Sequence, residues 1–432
     1  CKKLNLSPEQ IFYANAPLDI TFSYKFAELC NNETLRFNKL TPQKPTCVAL
    51  TRPMITQIKA RDMLLSYPYE SIKPFIRLLN EAATDKNVVS IKITLYRLAK
   101  NSQVIEALVN AAENGKQVLV LVELRARFDE ENNIGWSKRL QRAGCTVIYG
   151  PQDLKVHSKL LLITRKMNDK VEYITQIGTG NYNEKTAALY TDFSLMTANT
   201  QIGIEANRVF EALSTGTLVE QSENLLVAPL CLQNRVLEMI DEEIRYAQAG
   251  KPAYIGLKLN SLTDKIIIDR LVSASQAGVK VDLLIRGICC LIAGVKDYTE
   301  NITVTSIVGR FLEHSRIYVF GTENRQKLYI SSADFMTRNT LRRVEVAVPI
   351  LDCKIRNRIW TMFKIMLKDN VKSRVQMPDG KYIRRIVNES CKLLNSQEYF
   401  FEEAIKKAEM KEARANKRRA VASKRIQKTE TL

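Results

Sequence analysis

Lys155-Val156-His157-Ser158-Lys159-Leu160-Leu161-Leu162-Ile163 carries one of only two histidines in 432 residues. The other lies in Glu313-His314-Ser315-Arg316-Ile317-Tyr318-Val319. Each histidine is followed two positions later by a cation and then by an apolar run. If these runs are strands, residues i and i+2 point to one face, so each imidazole shares its surface with a fixed positive charge. That pairing suits the handling of an anion. Downstream, Gly178-Thr179-Gly180-Asn181 and Ser331-Ser332-Ala333-Asp334-Phe335-Met336-Thr337-Arg338-Asn339 each close a second apolar run. From histidine to asparagine the separations are 24 and 25 residues, so the chain holds two copies of one device.

The copies extend outward from the histidines. Residues 88–96 are β-rich, and Ile105, Leu108, Val109 and Ala112 then recur at helical spacing before Gly115, with 117–124 as the next strand. A helix over 131–143 ends at Gly144, and 145–149 form a short strand. The histidine strand turns at Asn168-Asp169 and returns through 171–177. In the second copy 254–259 read as a strand, Ile268, Leu271 and Val272 repeat the helical stripe, Gly278 ends it, and 280–286 form a strand. Ile105 to Ile268 and Gly115 to Gly278 both shift by 163 residues, whereas His157 to His314 shifts by 157. Self-similarity in register predicts two tandem α/β domains, over 44–224 and 225–400, each a mixed sheet flanked by helices.

Residues 1–43, with short apolar stretches and a break at Pro42, read as the end of an upstream head domain and a linker. The chain opens on Cys rather than Met, and further sequence is expected before it. Residues 353–367 again have a helical pattern. From about 396 the chain is rich in Ala, Lys, Arg and Glu, which predicts a solvated helix, with 401–432 as a basic helical tail.

The formal charge is +19, and 401–432 contribute ten Lys/Arg against five Asp/Glu. The rest of the excess is spread over the body, which favours polyanionic partners such as nucleic acid, phosphate polymers or anionic lipid. Nine cysteines with no Cys-x-x-Cys read as reduced thiols, as in a cytoplasm. No apolar run approaches the roughly 18 residues of a membrane span, and no signal-peptide layout is present. Gly-x-x-x-x-Gly-Lys-Ser/Thr is absent, and Gly178-Thr179-Gly180 is followed by Asn183 where a dinucleotide fingerprint needs its third glycine. Two histidines and unpaired cysteines do not make a zinc site.

Neutral imidazole is a good nucleophile near neutral pH, and a neighbouring Lys or Arg favours the neutral form while binding an incoming anion. The duplicated setting therefore predicts attack on phosphorus with a phosphohistidine intermediate. Phosphoryl transfer rests on positioning and charge neutralisation, so donors should converge on the phosphoryl oxygens. Lys159, Asn181, Arg286, Arg316, Asn339 and Arg343 are the candidates.

The paired His-x-Lys/Arg domains resemble the phospholipase D superfamily. The longer strings 91–97, 122–133, 155–160, 178–192 and 306–314 resemble the histidine-dependent polyphosphate kinases within it, over about 44 to 390. The resemblance implies two phospholipase-D-like domains facing each other across a basic cleft. It implies reversible transfer of the ATP γ-phosphate to the end of inorganic polyphosphate, with His157 as the phosphorylated nucleophile. His314 would contact nucleotide phosphate or act as acid or base, Tyr190 and Arg286 would bind ATP, and Arg97 and Arg127 would be magnesium-associated. Since guanidinium groups cannot ligate a cation, those two arginines are expected to hold phosphate that carries Mg²⁺. The family further implies ATP/ADP and polyphosphate as partners, a homo-oligomer formed through upstream sequence, and a bacterial cytoplasmic location with at most peripheral attachment to the inner membrane; nucleic acid is not expected. Leu160 to Arg165 contains no Asp, a departure from the phospholipase pattern. The alternatives are a phosphodiesterase or nuclease of the same superfamily, and a non-catalytic polyanion-binding module.

Overall fold

The duplicated pattern folds into two sheets built on one plan. The structure, a computed structural model, describes all residues except 1, 2, 4, 5, 31, 98, 100, 125–129, 152, 386–390 and 430–432, with side chains on the last helix described to residue 416. It comprises two units, Cys1–Thr41 and Pro42–Leu432. The first holds short 3-10 turns and one helix, α1 (Phe22–Leu29), and none of its described residues is buried. Phe12, Tyr13 and Leu18 are each more than 90% exposed, at 91%, 92% and 92%.

In the second unit the earlier strands are β1 (Met63–Tyr67), β2 (Val88–Leu95), β3 (Gln117–Val122), β4 (Thr146–Tyr149), β5 (Lys155–Val156), β6 (Leu160–Met167), β7 (Lys170–Gly178) and β8 (Tyr190–Thr197). The later ones are β9 (Leu226–Ala228), β10 (Tyr254–Leu259), β11 (Lys280–Ile285), β12 (Ile302–Ile307), β13 (Leu312–Glu313), β14 (Arg316–Phe320), β15 (Lys327–Ser331), β16 (Arg343–Pro349), β17 (Ser373–Gln376) and β18 (Tyr382–Arg384). The first sheet runs β1-β8-β7-β6-β2-β3-β4, with β13 added beside β8. The second runs β18-β17-β12-β11-β10-β14-β15-β16-β5, with β9 beside β16. Read from β4 and from β12, the first six strands of the two orders match one for one; β1 then corresponds to β9 and β13 to β5, and the β17–β18 hairpin extends only the second. The mixed α/β class expected from the sequence is the one found.

Apolar runs that are buried on both faces need helices on both sides of a sheet. In the first half α2 (Met54–Ala60), α3 (Lys73–Thr84) and α4 (Gln103–Glu113) bury Ile55, Phe75, Leu78, Ile105 and Leu108 in one core with Ile91, Ile93 and Val120. Helices α5 (Glu130–Arg142) and α6 (Thr200–Thr215) complete it. In the second half α7 (Leu232–Gln248) and α8 (Lys265–Gln276) place Val236, Ile240, Ile267 and Leu271 against Ile255, Leu257 and Leu283. The short α9 (Thr337–Arg342) and longer α10 (Cys353–Leu367) follow. Gly115 and Gly278, at φ +77° and +88°, end α4 and α8 in the left-handed conformation that glycine adopts without a Cβ clash.

The histidine runs are not continuous strands, which corrects the sequence expectation. β5 leaves its own half and pairs in parallel with β16, Lys155 beside Arg343 and Val156 beside Val344. β13 does the reverse and pairs with β8, Leu312 beside Tyr190 and Glu313 beside Thr191. Residues 157–159 and 314–315 lie in the break where each chain returns to its own sheet. The i, i+2 facing rule therefore does not apply to His157 and Lys159 or to His314 and Arg316.

A second correction concerns the C-terminal segment. Helix α11 (Ser396–Thr429) was expected to be solvated, yet Ser396, Gln397, Phe400 and Phe401 are buried. The boundary expected at 400/401 falls within this one helix. Tyr69 meets Phe400 and Phe401 edge-on at 5.4 and 5.5 Å, and Phe311 stacks on Phe401 at 5.6 Å. Farther along, the Lys411 ammonium donates to the Thr46 and Val48 carbonyls at 3.0 and 2.6 Å. The aromatic side chains of its first two turns join β1's end to the segment before β13, and apolar burial outweighs the polar average of the helix. Phe401→Ala is expected to cost about 3–5 kcal/mol of stability, measured by denaturant unfolding.

Candidate functional site

The crossed strands set the site. Because Val156 lies beside Val344, the next residue, His157, meets Glu345 of β16, and its Nδ1 is 2.9 and 3.0 Å from the two carboxylate oxygens. Because Glu313 lies beside Thr191, His314 meets Asp192 of β8, with Nδ1 2.9 Å from both oxygens. Each histidine is thus braced by a carboxylate from the other half. Each carboxylate also takes a hydroxyl 13 residues upstream of itself: Ser332 Oγ donates to Glu345 and Thr179 Oγ1 to Asp192, both at 2.5 Å. An ionised carboxylate only accepts, so with Asp192 and Glu345 ionised each Nδ1 carries the proton and each Nε2 keeps a lone pair.

Further bonds fix the backbone around the rings. His157 and Ser158 N–H both donate to the Val344 carbonyl at 2.9 Å, and Val156 N–H donates to Glu123 at 2.8 Å. Around His314, the backbone N–H donates to Thr191 Oγ1 at 3.1 Å, and Thr191 in turn donates to Glu313 at 3.0 Å. Lys258 pairs with Glu313 at 3.0 Å. A side-chain carbon at Gly180 would lie 2.1 Å from an Asp192 oxygen, so glycine is needed for the brace to seat.

Burial, followed by the charges of Lys159, Arg343 and Arg316, holds His157 well below the ordinary 6.5, so the imidazole is neutral at neutral pH. His314 is also lowered, by burial and Arg316 against the pull of Asp192. Burial pushes Glu345 up to about 7 despite Lys159, Ser332 and Arg343, and burial brings the Lys159 ammonium down to about 7. Asp192 stays below the ordinary carboxylate value, because His314, Thr179 and Arg316 outweigh its burial. Arg316 of the second half thus acts on His157, and Asp192 and Lys159 of the first act on His314.

The expected donors are distributed unequally. Lys159 is fully buried; its ammonium bonds to the His157 carbonyl and lies 5.2 Å from the Tyr96 ring centre. Arg343 opens β16 with a terminal nitrogen 4.0 Å from Glu345. Arg286, just after β11, donates to Asn260 at 2.7 Å and to the Glu313 carbonyl at 2.6 Å. The Tyr190 ring is 5.3 Å from His314, and Tyr96 meets His157 edge-on at 4.9 Å. Arg97 lies 5.8 Å from Tyr96, while Arg127 falls outside the described residues. Asn181 Oδ1 and Asn339 Oδ1 are buried and carry no hydrogen bond.

One equivalence read from the sequence is corrected. The shared 13-residue spacing aligns Thr179 with Ser332 and Asp192 with Glu345, which places Asp334, not Asn339, at the position of Asn181. Asn339 lies instead on α9, five residues beyond. Near-equal counts from histidine to asparagine concealed the shift, because the second half is shorter between its histidine and its hydroxyl.

Glu345 and Asp192 are the residues that sequence reasoning missed as site members. Both are the single acidic residue of their strand, Arg343–Pro349 and Tyr190–Thr197, with apolar or hydroxylic neighbours on either side, and a buried carboxylate in a strand needs a partner. Their matching distance from Thr179 and Ser332 was the available signal.

Residues 53–219 match polyphosphate kinase C-terminal domain 1, and residues 225–397 match polyphosphate kinase C-terminal domain 2. The chain belongs to the polyphosphate kinase family. It is 45% identical over 405 residues to the polyphosphate kinase of Bacillus anthracis, covering 93% of this chain and 57% of that one. Against the polyphosphate kinase of Staphylococcus epidermidis it is 45% identical over 410 residues, 94% of this chain and 55% of the relative. The crystal structure of polyphosphate kinase from Porphyromonas gingivalis superposes with a TM-score of 0.82 at 37% identity, covering 89% of this chain and 59% of that chain. The chain spans little more than half the length of the curated relatives it matches. In this chain the two family domains meet through the crossed strands.

Histidine C–H resonances followed by NMR should show two titrations, both below 6.5 and His157 the lower. Arg343→Ala should raise the His157 value, because one of the charges that depress it is lost. A His157 midpoint at or above 6.5 would contradict these electrostatics.

Proposed function

We propose that this chain carries the phosphotransfer centre of an ATP:polyphosphate phosphotransferase, with His157 as the group phosphorylated in transit. The observation that carries the reading is a neutral imidazole whose Nδ1 is held by Glu345. Its Nε2 has no hydrogen bond to any described residue. Membership of the polyphosphate kinase family supplies the substrate class.

In the forward direction the Nε2 lone pair of His157 attacks the γ-phosphorus of ATP. A phosphorus–nitrogen bond forms as the bond to the β,γ-bridging oxygen breaks, and ADP leaves. The terminal oxygen of a polyphosphate chain then attacks the same phosphorus, returning the electron pair to Nε2. Glu345 holds the Nδ1 proton and steadies the ring as charge develops on it, and Lys159, Asn181 and Arg343 supply donors to the phosphoryl oxygens. His314, with Tyr190 and Arg286 nearby, contacts the nucleotide phosphates and serves as acid or base, a role worth typically about 10²-fold to 10⁴-fold.

Magnesium does not fit as a protein-ligated ion. Among the described residues no group of three or more His, Cys, Asp or Glu could hold a metal, and Arg97 offers only donors. We place Mg²⁺ with the nucleotide, as part of the substrate. Phosphotransfer domains over 44–224 and 225–400, and a homo-oligomer built with upstream sequence, complete the reading, the latter supported by the exposed aromatic residues of the first unit. Among the described residues no helix is long and apolar enough to cross a membrane.

The phosphodiesterase alternative cleaves diesters without ATP, and a polyanion-binding module makes no use of the histidines. Incubation of the full-length protein and its His157→Ala variant with γ-labelled ATP and Mg²⁺ separates them. Label that survives alkali but not acid, present in the parent and absent in the variant, is expected; no label on the folded parent would overturn the ATP-donor reading.

A further inference from the structure

The two histidines are braced alike at Nδ1 but served differently at the phosphoryl end. Arg316, the counterpart of Lys159, is locked to Asp334: Nη2 to Oδ2 at 2.9 Å and Nε to Oδ1 at 3.2 Å. Its Nη1 donates to the carbonyls of His314 and Thr179 at 2.8 and 3.2 Å. The same nitrogen lies 3.4 and 3.3 Å from the two ring nitrogens of His314, so the cation sits against the imidazole. Four of the five guanidinium hydrogens are therefore engaged. Asp334 also takes the Asn260 backbone N–H at 2.6 Å, and Arg316 and Asn260 hold its carboxyl down at about 2 against its burial, so it is charged throughout the working range.

The first half lacks this lock. Asn181 stands at the position of Asp334, with its Oδ1 buried and without a partner. Lys159 donates to the His157 carbonyl and makes no ion pair with any described residue. It therefore has ammonium hydrogens to offer an incoming phosphoryl group, whereas Arg316 has one. Since phosphoryl transfer depends on donors aimed at the moving charge, this difference bears directly on which ring reacts.

We propose that Asp334 is the positioning residue that decides which histidine takes the phosphoryl group: by holding Arg316 it closes His314 as a nucleophile and reserves the transfer for His157. The inference rests on the phosphohistidine reading above. Reaction at His314 would follow the same balance, its Nε2 attacking the γ-phosphorus of ATP as the bond to the bridging oxygen breaks and ADP departs.

The test maps acid-labile label from γ-labelled ATP by peptide mass spectrometry in the full-length protein. The parent should carry label on His157 alone and His157→Ala none. The His157→Ala/Asp334→Asn double variant should regain label, now on His314. A folded double variant without label, beside an Asp334→Asn single variant labelled on His157 as in the parent, would overturn the inference and leave the phosphohistidine reading intact. A parent without label would instead remove the reading itself. Asn181→Asp is the independent arm in the other half: a carboxylate at the position equivalent to Asp334 should cut labelling of His157 by about 10²-fold with the circular dichroism unchanged, and undiminished labelling would count against the proposal.

Discussion

The structure depends on two hydrogen bonds that cross between its halves, His157 to Glu345 and His314 to Asp192. Each is set by a two-residue strand that leaves its own sheet and pairs with the other, and the carboxylate is the residue after the last paired position. Neither half could brace its own histidine in this way. A buried imidazole opposite a buried carboxylate is costly to leave unpaired, which ties the chemistry of the site to the docking of the halves.

The same crossing explains the electrostatics. Charges of each half reach the groups of the other, so Arg316 helps keep His157 neutral and Lys159 helps keep His314 neutral. Helix α11 adds a second tie, since Gln397 donates to Glu313 at 2.6 Å and to the Phe311 carbonyl at 2.9 Å, beside the strand that leads into His314. The segment that composition marks as a tail is, in its first turns, part of the frame around the second histidine.

Much of the fold was legible because local signals agreed. Glycines at 115 and 278 stop equivalent helices, Asn168 and Asp169 adopt the positive φ of a tight hairpin, and the strands at 254–259 fall where the apolar run predicts. The histidines and their duplicated setting were legible for the same reason. The break after each two-residue strand was not, because an apolar run looks the same whether it stays in one sheet or begins in another. Glu345 was invisible as a partner of His157 across 188 residues, since only long-range pairing brings them together. Asn339 was matched to Asn181 by residue type and count, whereas hydroxyl and carboxylate geometry selects Asp334. Duplication followed by divergence leaves the frame symmetric and the charges unlike, and residue type alone does not reveal which position has diverged.

The most direct measurement of the central claim is a double-mutant cycle on unfolding free energy with His157→Ala, Glu345→Ala and the pair. A crossed, buried brace predicts a favourable coupling of about 1.5–3 kcal/mol between positions in different halves. Effects that add to within about 0.3–0.5 kcal/mol would contradict it, and would mean that the halves are held together without the histidine–carboxylate pairs.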